Sequence, residues 1–447
     1  MIKKIVAFSL VGVLLSCSVS AALATEPDTI YKEIYVSVSG NDANDGSSSA
    51  PFKTINRAKQ EVASISDSMT GDIVVNISEG NHFLDKQLEF DVSDSGKNGH
   101  NVIYRGAGAD KTVISGGRLI SGFEKWGDKG IYRVKLNGVQ YINELYVNGV
   151  RRDPAGPGVP FTALLKSDKY LSQEYKKLYP NINVDPYIFD DPQTEWLNDG
   201  IIISKKFLDT DFINQNDIVI SELASWREEK HSVEKIVQYP DDPDYVIVYF
   251  EQPNYELNPI NGTLPLRLSN VFEHLDSPGE FYYNRTEGYL YYIPTEKEDM
   301  ASAEIIYPVL TDLLHISGND IDDKIKNITF EHMKFAHTTD YTQNEVGGVS
   351  KNQTSALFSG YGGTQSAVSV SLYKAENINF YNNYFFGLGL TGIGVRDGND
   401  SCNIIGNAFS DLGGAAVDIG ETWHADWVIG EDGVSDAPPK DEKLRRN

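Results

Sequence analysis

The chain has 447 residues, which is enough for two or more domains around a large buried core. Its formal net charge of −25 argues against nucleic acids and anionic membrane surfaces as partners, and it mildly disfavours a polyanionic substrate. The two cysteines include Cys17, which lies in a segment expected to be removed, so we predict no internal disulfide.

Residues 1–24 have the pattern of a signal peptide. Lys3 and Lys4 precede an apolar run over residues 5–15, and residues 22–24 (ALA) fit a small-residue cleavage site. The run is too short to anchor the chain, and no later stretch is apolar enough to span a membrane. We therefore expect a secreted or periplasmic protein. The alternative is a lipoprotein attached through Cys17, because residues 14–17 loosely resemble a bacterial lipobox.

Residues 25–117 are predicted to contain short strands and one helix. Ile55, Ala58 and Val62 would share one face of that helix. Strands are predicted over residues 73–77, 88–92, 102–104 and 112–114, with Gly, Asn and Asp between them. The Asn- and Asp-rich residues 41–46 favour turns over a Ca²⁺ site, because Lys53 stands where an EF-hand loop requires an acid.

Residues 118–300 differ in composition from the segments around them. They are rich in Tyr, Pro and Asp and have no regular period. Strand-like runs occur at residues 144–148, 245–250 and 289–293. We interpret this segment as a large β-rich inserted domain.

Residues 301–430 repeat, with a period of 24 residues in the last two units. The aligned apolar pairs are Leu314/Ile316, Val368/Val370, Ile393/Val395 and Val417/Ile419, followed by Ile328/Phe330, Ile378/Phe380 and Cys402/Ile404, and then by Phe335, Phe385 and Phe409. Three short strands in each unit of about two dozen residues are typical of a solenoid, with alternate residues facing inward. Asn383 and Asn407 would stack at a turn.

Several motifs resemble known proteins. Residues 35–42 (YVSVSGND) and 51–55 (PFKTI) resemble the start of many secreted pectate-lyase-like proteins. The motifs that are similar to glycoside hydrolase family 141 are residues 144–152 (ELYVNGVRR), 278–283 (PGEFYY), 288–292 (GYLYY) and 327–331 (NITFE).

The resemblance and the repeat together predict an all-β fold. This is a right-handed parallel β-helix, a single-stranded solenoid with a short N-terminal capping helix and a large β-rich insert. The resemblance implies a glycoside hydrolase, in a family where fucosidase and xylanase activities both occur. Relatives carry further turns after the segment that matches residues 418–420. The chain is thus expected to be a C-terminally truncated member that ends in an inter-turn loop, residues 431–447, and the relatives' catalytic turns would lie beyond it.

Glycoside hydrolysis requires a carboxylic acid and a second carboxylate. Asp418 is the best-placed acid, in an outward column with His315, Ser369 and Gly394. Asp397 and Glu421 lie 24 residues apart, so stacking in register would separate them by about 5 Å, close to the spacing of a retaining pair. The alternative is that these acids are solvated turn residues.

Candidate substrate-binding residues surround these acids. Arg396 and His315 are placed to bind hydroxyls or a carboxylate, while Trp423, His424 and Trp427 form a stacking platform or cover the end of the solenoid. The chain has no HExxH, CxxC or phosphate-loop signature and no spaced set of histidines, so we predict no metal and no cofactor. The expected partner is a polysaccharide or glycan, bound by a monomer.

Two other functions remain open. A non-catalytic glycan-binding or structural surface protein would need no acid pair. A polysaccharide lyase would need an acidic Ca²⁺ site and a basic side chain, and only Arg396 is placed for the latter role.

Overall fold

A computed structural model describes residues 29–158, 161–164, 200–224, 227–251, 263–340, 349–351, 356–359, 362–365 and 368–420. The predicted signal peptide, Cys17 and residues 431–447 lie outside the described residues. Within them the chain forms 33 strands, one α-helix and four short 3₁₀ helices, the last at Ser66–Ser68, Val92–Asp94, Gln215–Asp217 and Phe272–His274.

The helix is α1, Ile55–Ile65. The strands, numbered in chain order, are β1 Ile30–Val36, β2 Asp72–Ile77, β3 Gly80–Phe83, β4 Leu88–Phe90, β5 Val102–Gly106, β6 Thr112–Ser115, β7 Gly117–Ile120, β8 Glu124–Trp126, β9 Ile131–Lys135, β10 Leu145–Val147, β11 Val150–Pro154, β12 Phe161–Leu164, β13 Gly200–Ser204, β14 Val219–Ala224, β15 Arg227–Gln238, β16 Tyr245–Phe250 and β17 Thr263–Ser269. They continue with β18 Glu280–Asn284, β19 Tyr289–Tyr292, β20 Ile305–Pro308, β21 Leu314–Ser317, β22 Ile325–Glu331, β23 Lys334–Ala336, β24 Val349–Lys351, β25 Ala356–Ser359, β26 Gly362–Gln365, β27 Val368–Tyr373, β28 Ala375–Tyr381, β29 Tyr384–Leu388, β30 Thr391–Val395, β31 Asn403–Ile405, β32 Ala408–Leu412 and β33 Val417–Ile419.

Three sheets are purely parallel. Sheet 1 has the order β1-β2-β5-β22-β28-β31, sheet 2 the order β33-β30-β27-β21-β4, and sheet 3 the order β3-β6-β23-β29-β32. In sheet 2 Ile393 pairs with Val417, and in sheet 3 Phe385 pairs with Phe409, so the 24-residue repeat of the last two units is a strand-pairing register.

One alignment within the repeat is wrong. Leu314 pairs with Val370 and Ile316 with Leu372, whereas Val368/Val370 was the predicted partner pair. In β27 the apolar residues Val368, Val370 and Leu372 alternate with serines. Because this alternation has a period of two, it fits equally well when the pairing register is shifted by two residues. The outward column of sheet 2 therefore runs through Ser371 instead of Ser369, between His315 and Gly394.

Two further sheets are built almost entirely from antiparallel pairs. Sheet 4 has the order β7-β20-β10-β11-β18-β19-β9-β8, in which only β11 and β18 run parallel. Sheet 5 contains nine strands in the order β12-β17-β14-β15-β24-β25-β26, with β16 also paired to β15 and β13 paired to β16. These strands form cores of their own, such as the cluster around Ile220, Val248 and Leu266.

The predicted fold class, a right-handed single-stranded β-helix solenoid, is wrong. The described strands form five separate sheets, and the two sheets of antiparallel character hold more than half of them. The observed class is all-β with separate parallel and antiparallel sheets. The repeat covers only part of the chain, and the strands without a period form antiparallel pairs both with chain neighbours, such as β18 with β19, and with distant strands, such as β10 with β20.

The short helix is confirmed. It spans Ile55–Ile65 and buries Ile55, Ala58 and Val62, as its periodicity predicts. The Thr54 hydroxyl accepts from the Arg57 N–H at 3.1 Å and caps the first turn. Asp42 accepts from the N–H groups of Lys53 and Thr54, each at 2.8 Å, so its carboxylate joins the turn to the helix start.

The interior of the parallel sheets is a stack of aromatic rings. Phe335 and Phe385 have centroids 4.9 Å apart, and Phe385 and Phe409 have centroids 4.8 Å apart. Phe330 and Phe380 stack in the same way at 5.2 Å. In both columns the stacked residues occupy paired positions in neighbouring strands. Each ring therefore packs on the ring of the next strand, and the core is continuous.

An asparagine ladder connects the ends of successive strands, as predicted. The N–H of Asn383 donates to the side-chain oxygen of Asn407 at 2.9 Å, and each amide donates to a carbonyl of the preceding strand, Phe330 and Phe380 respectively. The left-handed residue is Asn382, with φ of 53°, one position before the ladder.

None of the helices in the described part of the chain is long and apolar enough to cross a membrane.

Candidate functional site

Asp418 and Arg396 form a contact at the outer face of sheet 2. Arg396 Nη1 donates to Asp418 Oδ2 at 2.9 Å and to the Gly420 carbonyl at 3.1 Å. Arg396 is 1% exposed, although it lies on an outward-facing position. Gly394 allows this, since a Cβ there would come within 2.9 Å of Arg396 Nε. The guanidinium thus lies across β30 and holds the carboxylate of β33.

Asp397 follows Arg396 directly. Its carbonyl accepts from the Lys374 N–H at 2.8 Å, and the residue is half-buried. Glu421 lies outside the described residues, so the predicted pairing of Asp397 with Glu421 stays a prediction. The same holds for Trp423, His424 and Trp427.

His315 does not share a site with Asp418. The strand order β21-β27-β30-β33 places three strand spacings, about 14 Å, between their positions. His315 Nδ1 is instead 2.8 Å from Ser371 Oγ, and its ring contacts Tyr373 with centroids 5.6 Å apart. Nearby, burial raises the pKa of Asp312, and His315 partly offsets this shift.

A second group of charges, which we call the junction cluster, lies where sheets 3, 4 and 5 meet. It consists of Glu144, Arg151, Lys230, Asp340 and Asp411. Arg151 Nε donates to Asp411 Oδ2 at 2.9 Å, and Arg151 Nη1 lies 3.9 Å from Glu144 Oε1. Lys230 Nζ lies 3.7 Å from Asp340 Oδ2. The cluster therefore joins residues that are far apart in the chain.

Burial dominates the electrostatics of the cluster. It raises the pKa of Glu144, while Lys230, Arg151 and a hydrogen bond from Thr339 act in the opposite direction. Burial alone would lower the pKa of Lys230, but Asp340, Glu228 and Glu144 outweigh it and the pKa is raised. Burial therefore disfavours the charged form of Glu144.

A cavity of about 420 Å³ adjoins the cluster, between sheets 4 and 5. Glu144, Arg151 and Lys230 line it, together with Tyr141 and Tyr283. The sequence reasoning did not identify this site. The signal was present in ELYVNGVRR, residues 144–152, which supplies three of its charged side chains but was used only as a family motif.

Within the described residues, no group of three or more His, Cys, Asp or Glu side chains is arranged to hold a metal ion.

Comparison with known proteins gives a similarity of fold. No family model and no curated protein matches the chain. A solved structure described as "Glycoside hydrolase" superposes with a TM-score of 0.70 at 20% identity, over 88% of this chain and 68% of that one. A second, described as "The complex structure of XylC with xylose", has a TM-score of 0.34 at 12% identity and covers 81% of this chain and 41% of that one. The first similarity establishes a shared fold; the second is too low to support any inference.

Proposed function

We propose that the protein is a glycoside hydrolase that acts on a complex polysaccharide. The observation that carries this proposal is the fold shared with a glycoside hydrolase over 88% of the chain, at a TM-score of 0.70. This support is an analogy of fold, so the chemistry must be argued from side chains and tested on them.

Asp418 is the carboxylate that we assign to the reaction. It faces outward from sheet 2 and accepts a hydrogen bond from the buried Arg396, which fixes its orientation. A carboxylate held in this way is suited to attack an anomeric carbon or to activate water. In this proposal the second carboxyl group comes from Asp397 or Glu421. The side chains that contact the sugar are those of Trp423, His424 and Trp427.

The substrate and location are the finer parts of the proposal. Fucosides and xylan are the first substrates to test, because residues 144–152 and 278–283 resemble motifs of a family in which fucosidase and xylanase activities both occur. We propose that residues 1–24 direct export and that the mature protein meets its glycan outside the cytoplasm. Attachment through a lipidated Cys17 is the alternative route.

The test is hydrolysis by the full chain and by Asp418→Asn, with aryl fucosides, aryl xylosides and xylan as substrates. Asn keeps the shape of the side chain and removes its charge, so we expect a loss in kcat of at least about 100-fold. The buried Arg396 loses its charged partner, so the melting temperature should fall, and circular dichroism checks that the variant is folded at the assay temperature. Asp110→Asn is the matched control, since Asp110 is exposed and lies away from sheet 2.

Two results would contradict the proposal. Activity in Asp418→Asn within about twofold of the parent would remove Asp418 from the mechanism. Glycan binding without turnover by the parent chain would replace the hydrolase by the non-catalytic binding protein.

A further inference from the structure

We propose that the cavity between sheets 4 and 5 is a second carbohydrate site, which binds a neutral saccharide of one or two rings through Glu144, Lys230 and Arg151. Asp418 and Arg396 do not line this cavity. The site therefore goes beyond the proposed hydrolytic function and does not depend on it.

Glu144 lines the cavity with a carboxylate that has few hydrogen bonds from the described residues. The residue is 6% exposed, and its Oε2 accepts from the Thr339 hydroxyl at 2.8 Å. No described residue donates a hydrogen bond to Oε1, whose contact with Arg151 Nη1 is 3.9 Å long. Because Glu144 lines the cavity, this oxygen is available to accept a hydrogen bond from a ligand or a water there.

Lys230 supplies hydrogen-bond donors to the same cavity. Its ammonium is held 3.7 Å from Asp340 Oδ2, which is longer than a hydrogen bond, and within the described residues it makes no hydrogen bond. Charges from Asp340, Glu228 and Glu144 raise its pKa, so it is protonated at neutral pH. The cavity is thus lined by both a carboxyl acceptor and an ammonium donor, and their charges influence each other.

Sugar hydroxyls match this pair. Each hydroxyl both donates and accepts, so two neighbouring hydroxyls satisfy a carboxylate and an ammonium at once. The charge balance favours a neutral ring, because five basic and five acidic side chains line the cavity in a chain with a net charge of −25. An acidic sugar would face Glu144 and Glu228, and an amino sugar would face Lys230 and Arg151.

The size and walls of the cavity suit a small sugar. Its volume of about 420 Å³ is within the usual range of ligand pockets. Tyr141 and Tyr283 supply aromatic surface, and Arg285 fixes Tyr141 by stacking 4.0 Å from its ring centroid. Strands of two sheets form the walls, so the polar groups are positioned before a ligand binds.

The test is titration calorimetry and ligand-observed NMR on the full chain. The probes are D-xylose, L-fucose, D-galactose and D-glucose, with D-glucuronate and D-glucosamine as charged counterparts. Binding of at least one neutral sugar is expected, with the charged counterparts at least tenfold weaker. Glu144→Gln retains the acceptor for Thr339 and should weaken binding at least tenfold, as should Lys230→Met.

Matched controls are Glu331→Gln and Lys326→Met, which alter ion pairs far from the cavity and should bind like the parent. The Glu144→Gln variant should keep the parent's melting temperature and its rate of glycan hydrolysis, because the cavity is separate from Asp418. If the hydrolase proposal is wrong and the cavity inference is right, the parent will bind the neutral sugar but will not hydrolyse glycans. No binding of any neutral sugar, binding of the charged sugars alone, or undiminished binding by both cavity variants would overturn the inference.

Discussion

At the scale of single residues, the sequence could predict which side chains lie close together only where they occupy a repeat. Asp418, Asp397 and Arg396 lie in a periodic segment, and their neighbours in space are residues of the next repeat, as the contact between Arg396 and Asp418 shows. Glu144 and Lys230 could not be brought together in this way. Glu144 precedes β10 and Lys230 lies in β15, with no repeat relating them, and their presence in one cavity depends on how sheets 4 and 5 pack.

His337 provides a pH-dependent test at this scale. It is 5% exposed, with Nδ1 2.9 Å from Ser115 Oγ, and burial lowers its pKa to about 4, with Lys334 and Arg151 adding to the shift. The folded protein therefore keeps the ring neutral, while the unfolded chain protonates near pH 6.5. The stabilising contribution is complete above pH 6.5 and is lost as the pH falls towards 4.

His337→Asn should remove this dependence, because Asn tolerates the φ of 60° at this position and does not titrate. Between pH 7 and pH 5 we expect the parent to lose about 2 kcal/mol more in the free energy of unfolding than the variant. Urea unfolding at both pH values measures the difference. Equal losses in parent and variant would show that His337 does not titrate as described.

At the scale of elements, alternation predicted which residues face inward, but not always which strand positions pair. The column of Phe335, Phe385 and Phe409 was predicted correctly because one aromatic residue at the equivalent position of each unit marks the register. Val368, Val370 and Leu372 are apolar and alternate, so pattern alone could not choose between two registers, and the structure selects Val370 and Leu372. Long-range backbone pairing decides such cases.

The aromatic column predicts a gradient of stability. Phe385 is fully buried between two rings, so Phe385→Ala should lower the free energy of unfolding by about 4 kcal/mol through lost contacts and a cavity. Phe409→Ala should lower it less, because Phe409 is only half-buried. Denaturant unfolding of both variants gives the comparison. A larger loss for Phe409→Ala would contradict the packing described here.

At the scale of the whole molecule, the β-helix fold class was wrong, because the repeat determines only part of the architecture. It describes residues in the parallel sheets, but it contains no information about the many strands whose partners are antiparallel. The junction cluster shows what the sequence could not: Thr339 bonds Glu144, Arg151 bonds Asp411, and Lys230 approaches Asp340, so charged side chains connect sheets 3, 4 and 5. These contacts stabilise the packing of the sheets as a group, because removing one charged side chain leaves its partner without a compensating charge.

The measurement that tests the central claim most directly is glycan cleavage by the full chain in ¹⁸O-labelled water, with the products analysed by mass spectrometry after short reaction times. A glycoside hydrolase adds water across the bond, so we predict one ¹⁸O atom at the new anomeric carbon and no unsaturated sugar. An unsaturated product without label would show elimination by a lyase. Bound but uncleaved glycan would show a binding protein, and either result would contradict the account.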